Sequence, residues 1–267
     1  MTTQLLFYTE AKPVNPNAHK DLYVKAGRDF GFARAVNSVP LTAAEFPLAA
    51  PEYAIAFAGN DDGIVPIVLL GTQKGQNLYV KDDGTWNGRY VPAFVRRYPF
   101  VFAQSPDGKT LTLCIDEEFA GCNRDGHGER LFDADGERTT YLDQVLNFQR
   151  AYQVQHQRTQ QFCKKLVELD LLTPVQAVLS KAGGERQVLG GLRVVNRNKL
   201  KELDAETVHG LLRSDELELI YLQLHSLSNL RHLGERMPEP AEETAPAIAP
   251  EMTAEAADTD GGEPTKH

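Results

Sequence analysis

The alternation of apolar and polar positions changes period twice along the 267 residues. Through about Asp116 the pattern is that of strands and turns. Tyr53-Ala54-Ile55-Ala56-Phe57 alternates weakly, and residues 65–70 form the continuous apolar run expected of a strand buried on both faces. Pro66 within that run implies a strand start or an edge position. A further strand is expected at Asn77-Leu78-Tyr79-Val80, closed by a turn at Asp83-Gly84. Phe100-Val101-Phe102-Ala103 and Leu111-Thr112-Leu113-Cys114-Ile115 flank Ser105-Pro106-Asp107-Gly108 as the arms of a hairpin. Connections this short join antiparallel strands, since parallel crossovers need a dozen or more residues.

Residues 140–172 contain neither proline nor glycine and predict one long helix that stops before Pro174. Its apolar stripe runs through Leu142, Val145, Leu146, Tyr152, Cys163, Leu166 and Leu169. Gln149, His156 and Thr159 interrupt that stripe, and polar groups on a core-facing helix require hydrogen-bond partners. Beyond the helix, residues 176–179 and 187–195 read as a strand pair around Ala182-Gly183-Gly184. Asp204 is positioned to cap a short helix. Ser214 is the expected cap of the next, with Leu217, Ile220, Leu224, Leu227 and Leu230 facing the core. The predicted class is therefore α+β: an antiparallel N-terminal sheet region, one long central helix, and a smaller C-terminal strand pair with two helices. One domain spans 1–237, β-rich over 1–135 and helix-rich over 136–237. Residues 238–267, rich in Pro, Ala, Glu and Thr, are expected to be a disordered tail.

The net charge of −9 is concentrated in that tail, where eight acidic residues face one lysine. Residues 1–237 carry 27 basic and 29 acidic side chains and are nearly neutral. This lacks the basic surplus of a nucleic-acid binder. No stretch approaches the roughly 20 apolar residues of a membrane-spanning helix. The first ten residues have neither the basic start nor the cleavage site of a signal peptide, and three widely spaced cysteines give no disulfide framework. A cytoplasmic location is expected, with export by a non-Sec route as the alternative.

Several segments together resemble the SapC family of bacterial proteins. They include Val65-Pro66 leading to Leu69-Leu70-Gly71, Asp82-Asp83-Gly84-Thr85-Trp86, Tyr90-Val91-Pro92-Ala93 and Arg96-Arg97-Tyr98-Pro99-Phe100. Further along come Cys114-Ile115-Asp116, Leu131-Phe132-Asp133, Leu189-Gly190-Gly191-Leu192 and His225-Ser226-Leu227. The order and spacing of these pieces cover about 40–233. The resemblance implies an association with bacterial surface layers, as the family name has it. It transfers no catalytic residue to this chain.

The densest chemistry lies in residues 86–100, where three arginines interleave with five aromatics. Trp86, Arg89, Tyr90, Arg96, Arg97 and Tyr98 are the candidate ligand- or partner-binding residues. Guanidinium groups hold carboxylates or phosphates bidentately, and both residue types are enriched at binding hot spots. The competing reading makes the aromatics core and pairs the arginines internally. His156 and His225 form a second candidate polar site. Cys114, Cys122 and His127 lack zinc-site spacing, so no metal and no cofactor is expected. Asp133-Ala134-Asp135-Gly136-Glu137 lacks the later ligands of a calcium loop and reads as a tight turn. GxxxxGK[ST], GxGxxG, GxSxG and HExxH are all absent. The leading expectation is a non-catalytic binding or accessory protein that engages a peptide, a protein or an anionic ligand. The alternatives are an enzyme whose site is assembled from distant residues and a surface-layer component or factor. Oligomeric state is left open.

Overall fold

Buried polar side chains decide how the elements are joined in the computed structural model, which describes residues 6–25, 27–61, 63–180 and 186–237. In chain order the first elements are β1 (Ala11–Pro13), α1 (Pro16–His19), β2 (Tyr23–Val24), β3 (Ser38–Pro40), α2 (Phe46–Ala49), β4 (Ile55–Ala58) and β5 (Val65–Leu69). They are followed by α3 (Ala93–Arg96), β6 (Phe100–Gln104), β7 (Leu111–Asp116), β8 (Cys122–Asn123) and β9 (Glu129–Arg130). The long helix α4 (Thr140–Glu168) precedes β10 (Leu172–Ser180), β11 (Arg186–Val195), α5 (Arg197–Glu202), α6 (Ala205–Arg213), α7 (Glu216–Ser226) and α8 (Asn229–Glu235). The class is α+β, as the sequence predicts.

Three antiparallel sheets form, in the orders β1-β7-β6, β10-β11-β4-β5-β3 and β8-β2-β9. The apolar run of β5 is an inner strand, with Val68 opposite both Ile55 and Val39. Pro66 is its second residue, and its carbonyl accepts from Leu41 N at 2.9 Å. The C-terminal strand pair does not stand apart: Leu192 and Arg193 of β11 pair with Ala58 and Phe57 of β4, which extends the five-stranded sheet. Its connecting turn at Ala182-Gly183-Gly184 and the acidic tail lie outside the described residues.

Three local expectations are corrected. Residues 77–80 form no strand beyond a single bridge between Val80 and Trp86. Asn77 satisfies the local backbone instead: its Oδ1 accepts from Tyr79 N at 2.9 Å and its Nδ2 donates to Ala33 O at 3.0 Å. The long helix ends at Glu168, earlier than 172, because Asp170 turns left-handed (φ 51°) and Leu172 enters β10 opposite Val195. Pro174 then sits in an edge strand, where its missing N–H is tolerated. Ser214 caps no helix start. It closes α6, with Ser214 N donating to Gly210 O at 3.2 Å, and Asp215 (φ 61°) begins α7. Asp204 does cap α6, accepting from Thr207 N at 2.8 Å.

Two cores meet along α4. Its first half packs Leu142, Val145 and Leu146 with Phe100, Ile115 and Leu131. Its second half packs Phe162, Cys163 and Leu166 with the five-stranded sheet and the C-terminal helices. Two of the three polar midsection residues, Gln149 and Thr159, find hydrogen-bond partners, and His156 stacks on Tyr152. Gln149 Nε2 donates to Arg97 O (3.2 Å) and Phe100 O (2.9 Å), and Thr159 Oγ1 accepts from Ala43 N (2.8 Å). A second polar seam covers the start of β4, where Gln223 Nε2 donates to Ile55 O (3.0 Å) and Ile55 N donates to Ser226 Oγ (3.0 Å).

Candidate functional site

A cleft of about 410 Å³ opens where the two cores meet, between the first half of α4 and residues 95–100. Its wall is aromatic: Phe30, Phe32, Tyr98, Phe100, Phe119, Tyr141 and Phe148. The segment carrying Phe30 and Phe32 is held by a close backbone approach, with Phe30 N donating to Gly84 O at 2.7 Å. A Cβ at position 84, where φ is +82°, would lie 2.2 Å from Asp29 Oδ1, so this approach requires glycine. Phe32 packs against Tyr98 at 4.4 Å between centroids, and Tyr98 meets Phe119 edge-on at 5.2 Å.

Arg96 and Arg97 are consecutive but face opposite environments. Arg96 is exposed, with its guanidinium over the rings of Tyr90 (5.6 Å) and Phe148 (5.3 Å). Its Nε donates to Val91 O at 2.9 Å and its Nη2 to Tyr90 Oη at 3.3 Å. Arg97 is only 8% exposed and sits among Phe94 (4.0 Å), Tyr152 (5.0 Å) and Tyr8 (5.7 Å). Both belong to the cleft lining, with Asp29 and Gln149.

The remaining candidate residues of the segment, Trp86, Arg89 and Tyr90, do not line the cleft. Trp86 meets Phe30 edge-on at 5.6 Å and donates its indole N–H to Tyr53 Oη at 2.9 Å. Tyr90 donates to Glu45 Oε1 at 2.7 Å. Arg89 is exposed, and its backbone N–H donates to the Glu52 carboxylate at 2.9 and 3.1 Å. Burial pushes the Tyr98 hydroxyl up, reinforced by the Asp116 carboxylate beside it, and burial pushes Tyr141 up to about 12. Both phenols are therefore protonated donors at neutral pH.

His156 stacks on Tyr152, and its basicity is lowered first by burial and then by Arg97. His225 is exposed on α7. No hydrogen bond, ion pair or ring contact joins the two histidines among the described residues, and neither lines the cleft. Cys114 and Cys163 are buried. Burial pushes the Cys122 thiol up to about 11 and that of Cys163 to about 12, so both are held as thiols. Asp133 organises a tight turn, its Oδ1 accepting from Asp135 N and Glu137 N at 2.9 Å each.

The sequence singled out Arg96, Arg97 and Tyr98. It missed Asp29, Phe30, Phe32, Phe119, Tyr141 and Phe148, which come from three separate stretches of chain. Two had an adjacent signal: Phe148 as the neighbour of Gln149 in the interrupted stripe, and Tyr141 as the neighbour of Leu142 at its start.

The sequence matches the SapC family over residues 14–233, most of the chain. This chain belongs to the SapC family. Comparisons with curated proteins and with solved structures give no match. The cleft of this SapC protein lies within the matched span, including every aromatic residue of its wall. No helix among its described residues is long and apolar enough to cross a membrane.

Proposed function

We propose that this SapC-family chain is a non-catalytic binding or accessory protein that seats a peptide, a protein segment or an anionic ligand in the cleft beside residues 96–100. The observation that carries this reading is the cleft wall itself: seven aromatic residues and an exposed arginine around about 410 Å³. That volume falls among ligand-binding cavities, and aromatic and arginine side chains are the usual anchors of binding sites. The aromatic packing that fixes Phe32, Tyr98 and Phe119 also preorganises the wall. Among the described residues the lining includes neither imidazole nor thiol, which favours recognition over acid–base or nucleophilic chemistry.

The test compares wild type with Phe148→Ala and Arg96→Ala in native purification followed by mass spectrometry, after thermal melts show that the variants fold. A ligand or partner held by wild type and lost from both variants is the expected result. Its full retention in both would place the binding surface elsewhere.

A further inference from the structure

Among the described residues, Arg97 is the exception among the buried charges. Glu45 accepts from Thr42 N, Thr42 Oγ1, Tyr90 Oη and Ala93 N, at 2.7 to 2.8 Å. Asp116 accepts from Thr9 N at 2.7 Å, Glu118 N at 3.2 Å and Tyr98 Oη at 3.4 Å. His19 lies 3.1 Å from Glu117. Arg97, by contrast, has no carboxylate partner among the described residues, and its Nε and Nη2 have no acceptor. The three surrounding rings offset part of its charge but leave those two N–H groups unmet. A buried cation in this state is stabilised by any anion that reaches it.

Its neighbour Arg96 is also free of an ion pair among the described residues, donating to the neutral oxygens of Val91 and Tyr90. Asp29 is the one carboxylate of the cleft lining among the described residues, and its Oδ1 is taken by Gly31 N at 2.8 Å. Two arginines against one aspartate leave the lining with a single positive charge to match. We infer that the cleft selects a small organic monocarboxylate with an apolar, ring-sized body. The carboxylate meets the planar fork of Arg96 beside Phe148, Arg97 adds its charge from among Phe94, Tyr152 and Tyr8, and the body packs on Phe32, Phe119 and Phe148. A phosphate dianion would exceed the charge available and would give up its hydration to a mostly aromatic wall.

This inference rests on the binding reading above and specifies its ligand. The full chain is titrated with 4-phenylbutyrate, its neutral counterpart 4-phenylbutan-1-ol, butyrate and inorganic phosphate, by calorimetry and by fluorescence of Trp86. Trp86 is the sole tryptophan and touches Phe30 of the wall. Phenylbutyrate is expected to bind at least about tenfold more tightly than the other three, since a tenfold step is what one charge-assisted contact supplies. Arg96→Gln should remove about tenfold of that affinity, and Arg97→Met should remove the preference over the alcohol. Should Arg97→Met fail to fold, Arg96→Gln carries the test, because its side chain is exposed. Equal binding of acid and alcohol overturns the carboxylate inference while leaving a binding cleft in place. A preference for phosphate, an acid preference that survives Arg96→Gln, or no binding of any probe overturns it as well. Co-purification with Phe148→Ala decides the broader reading separately.

Discussion

Glu45 ties two stretches of chain through one carboxylate. Its Oε2 closes a capping box with Thr42, and its Oε1 accepts from Tyr90 Oη and Ala93 N, which anchors the stretch leading to Arg96. All four contacts are donors, so an amide in place of the carboxylate must turn an N–H towards other N–H or O–H groups. Glu45→Gln is expected to lower stability by about 3 kcal/mol, the scale of losing charged hydrogen bonds at a buried site. Urea denaturation checks it, and a loss under about 1 kcal/mol would mean that the carboxylate is dispensable. His156 gives a second prediction at this scale. Burial and Arg97 hold its folded-state pKa below the ordinary 6.5. The unfolded chain therefore takes up this proton first as pH falls, and the folded state loses stability from about pH 6.5 downwards until the folded imidazole titrates. His156→Gln should flatten the part of the stability–pH curve above the carboxylate range, between about pH 5 and 6.5. An unchanged slope in that window would assign it to another group.

At the scale of elements, the strands were legible wherever apolar runs were bounded by turn residues. The β6–β7 hairpin and the inner strand β5 follow the pattern directly. The C-terminal helices were misread in their buried face as well as in the Ser214 cap. Their apolar period pointed to Leu217, Leu224, Leu227 and Leu230, yet these are only half-buried. The fully buried face carries Ile220, Gln223, Ser226, Asn229 and Leu233. Hydrophobic periodicity is blind to such a face, because its polar members are chosen by backbone groups that another element leaves unpaired. Gln223 serves two strands at once, donating to Ile55 O and accepting from Val195 N at 3.1 Å. Gln223→Ala should cost about 2–3 kcal/mol through two orphaned backbone groups, and amide exchange at Val195 should accelerate. Unaltered exchange there would show that water replaces the side chain without penalty. The site was partly legible for a related reason. Arg96 and Arg97 stand in one dense motif, but successive residues of a helical turn point about 100° apart, so one faces solvent and the other the core. The rest of the cleft has no local signature, because its rings come from loops and from α4.

At the scale of the molecule, the texture of the sequence suggested a β-rich first half and a helix-rich second half, and the sheet order crosses that division. β11 lies beside β4, so the five-stranded sheet draws three strands from before residue 135 and two from after it. Helix α4 likewise supplies one wall of each core, and the cleft uses residues from Asp29 to Gln149. Residues 1–135 alone would leave β4 with an unpaired edge and Phe46, Ile55 and Phe57 without the cover of α4 and α7, a state prone to edge-to-edge association. That fragment is expected to be insoluble or to lack cooperative unfolding. Co-expression with residues 136–237 should recover a soluble, cooperatively melting complex, since the missing strands and helices are restored without a covalent link. The comparison is made by size-exclusion chromatography and thermal melts. A fragment 1–135 that melts cooperatively by itself would mean that the sheet is complete without β10 and β11, and that the two halves fold independently.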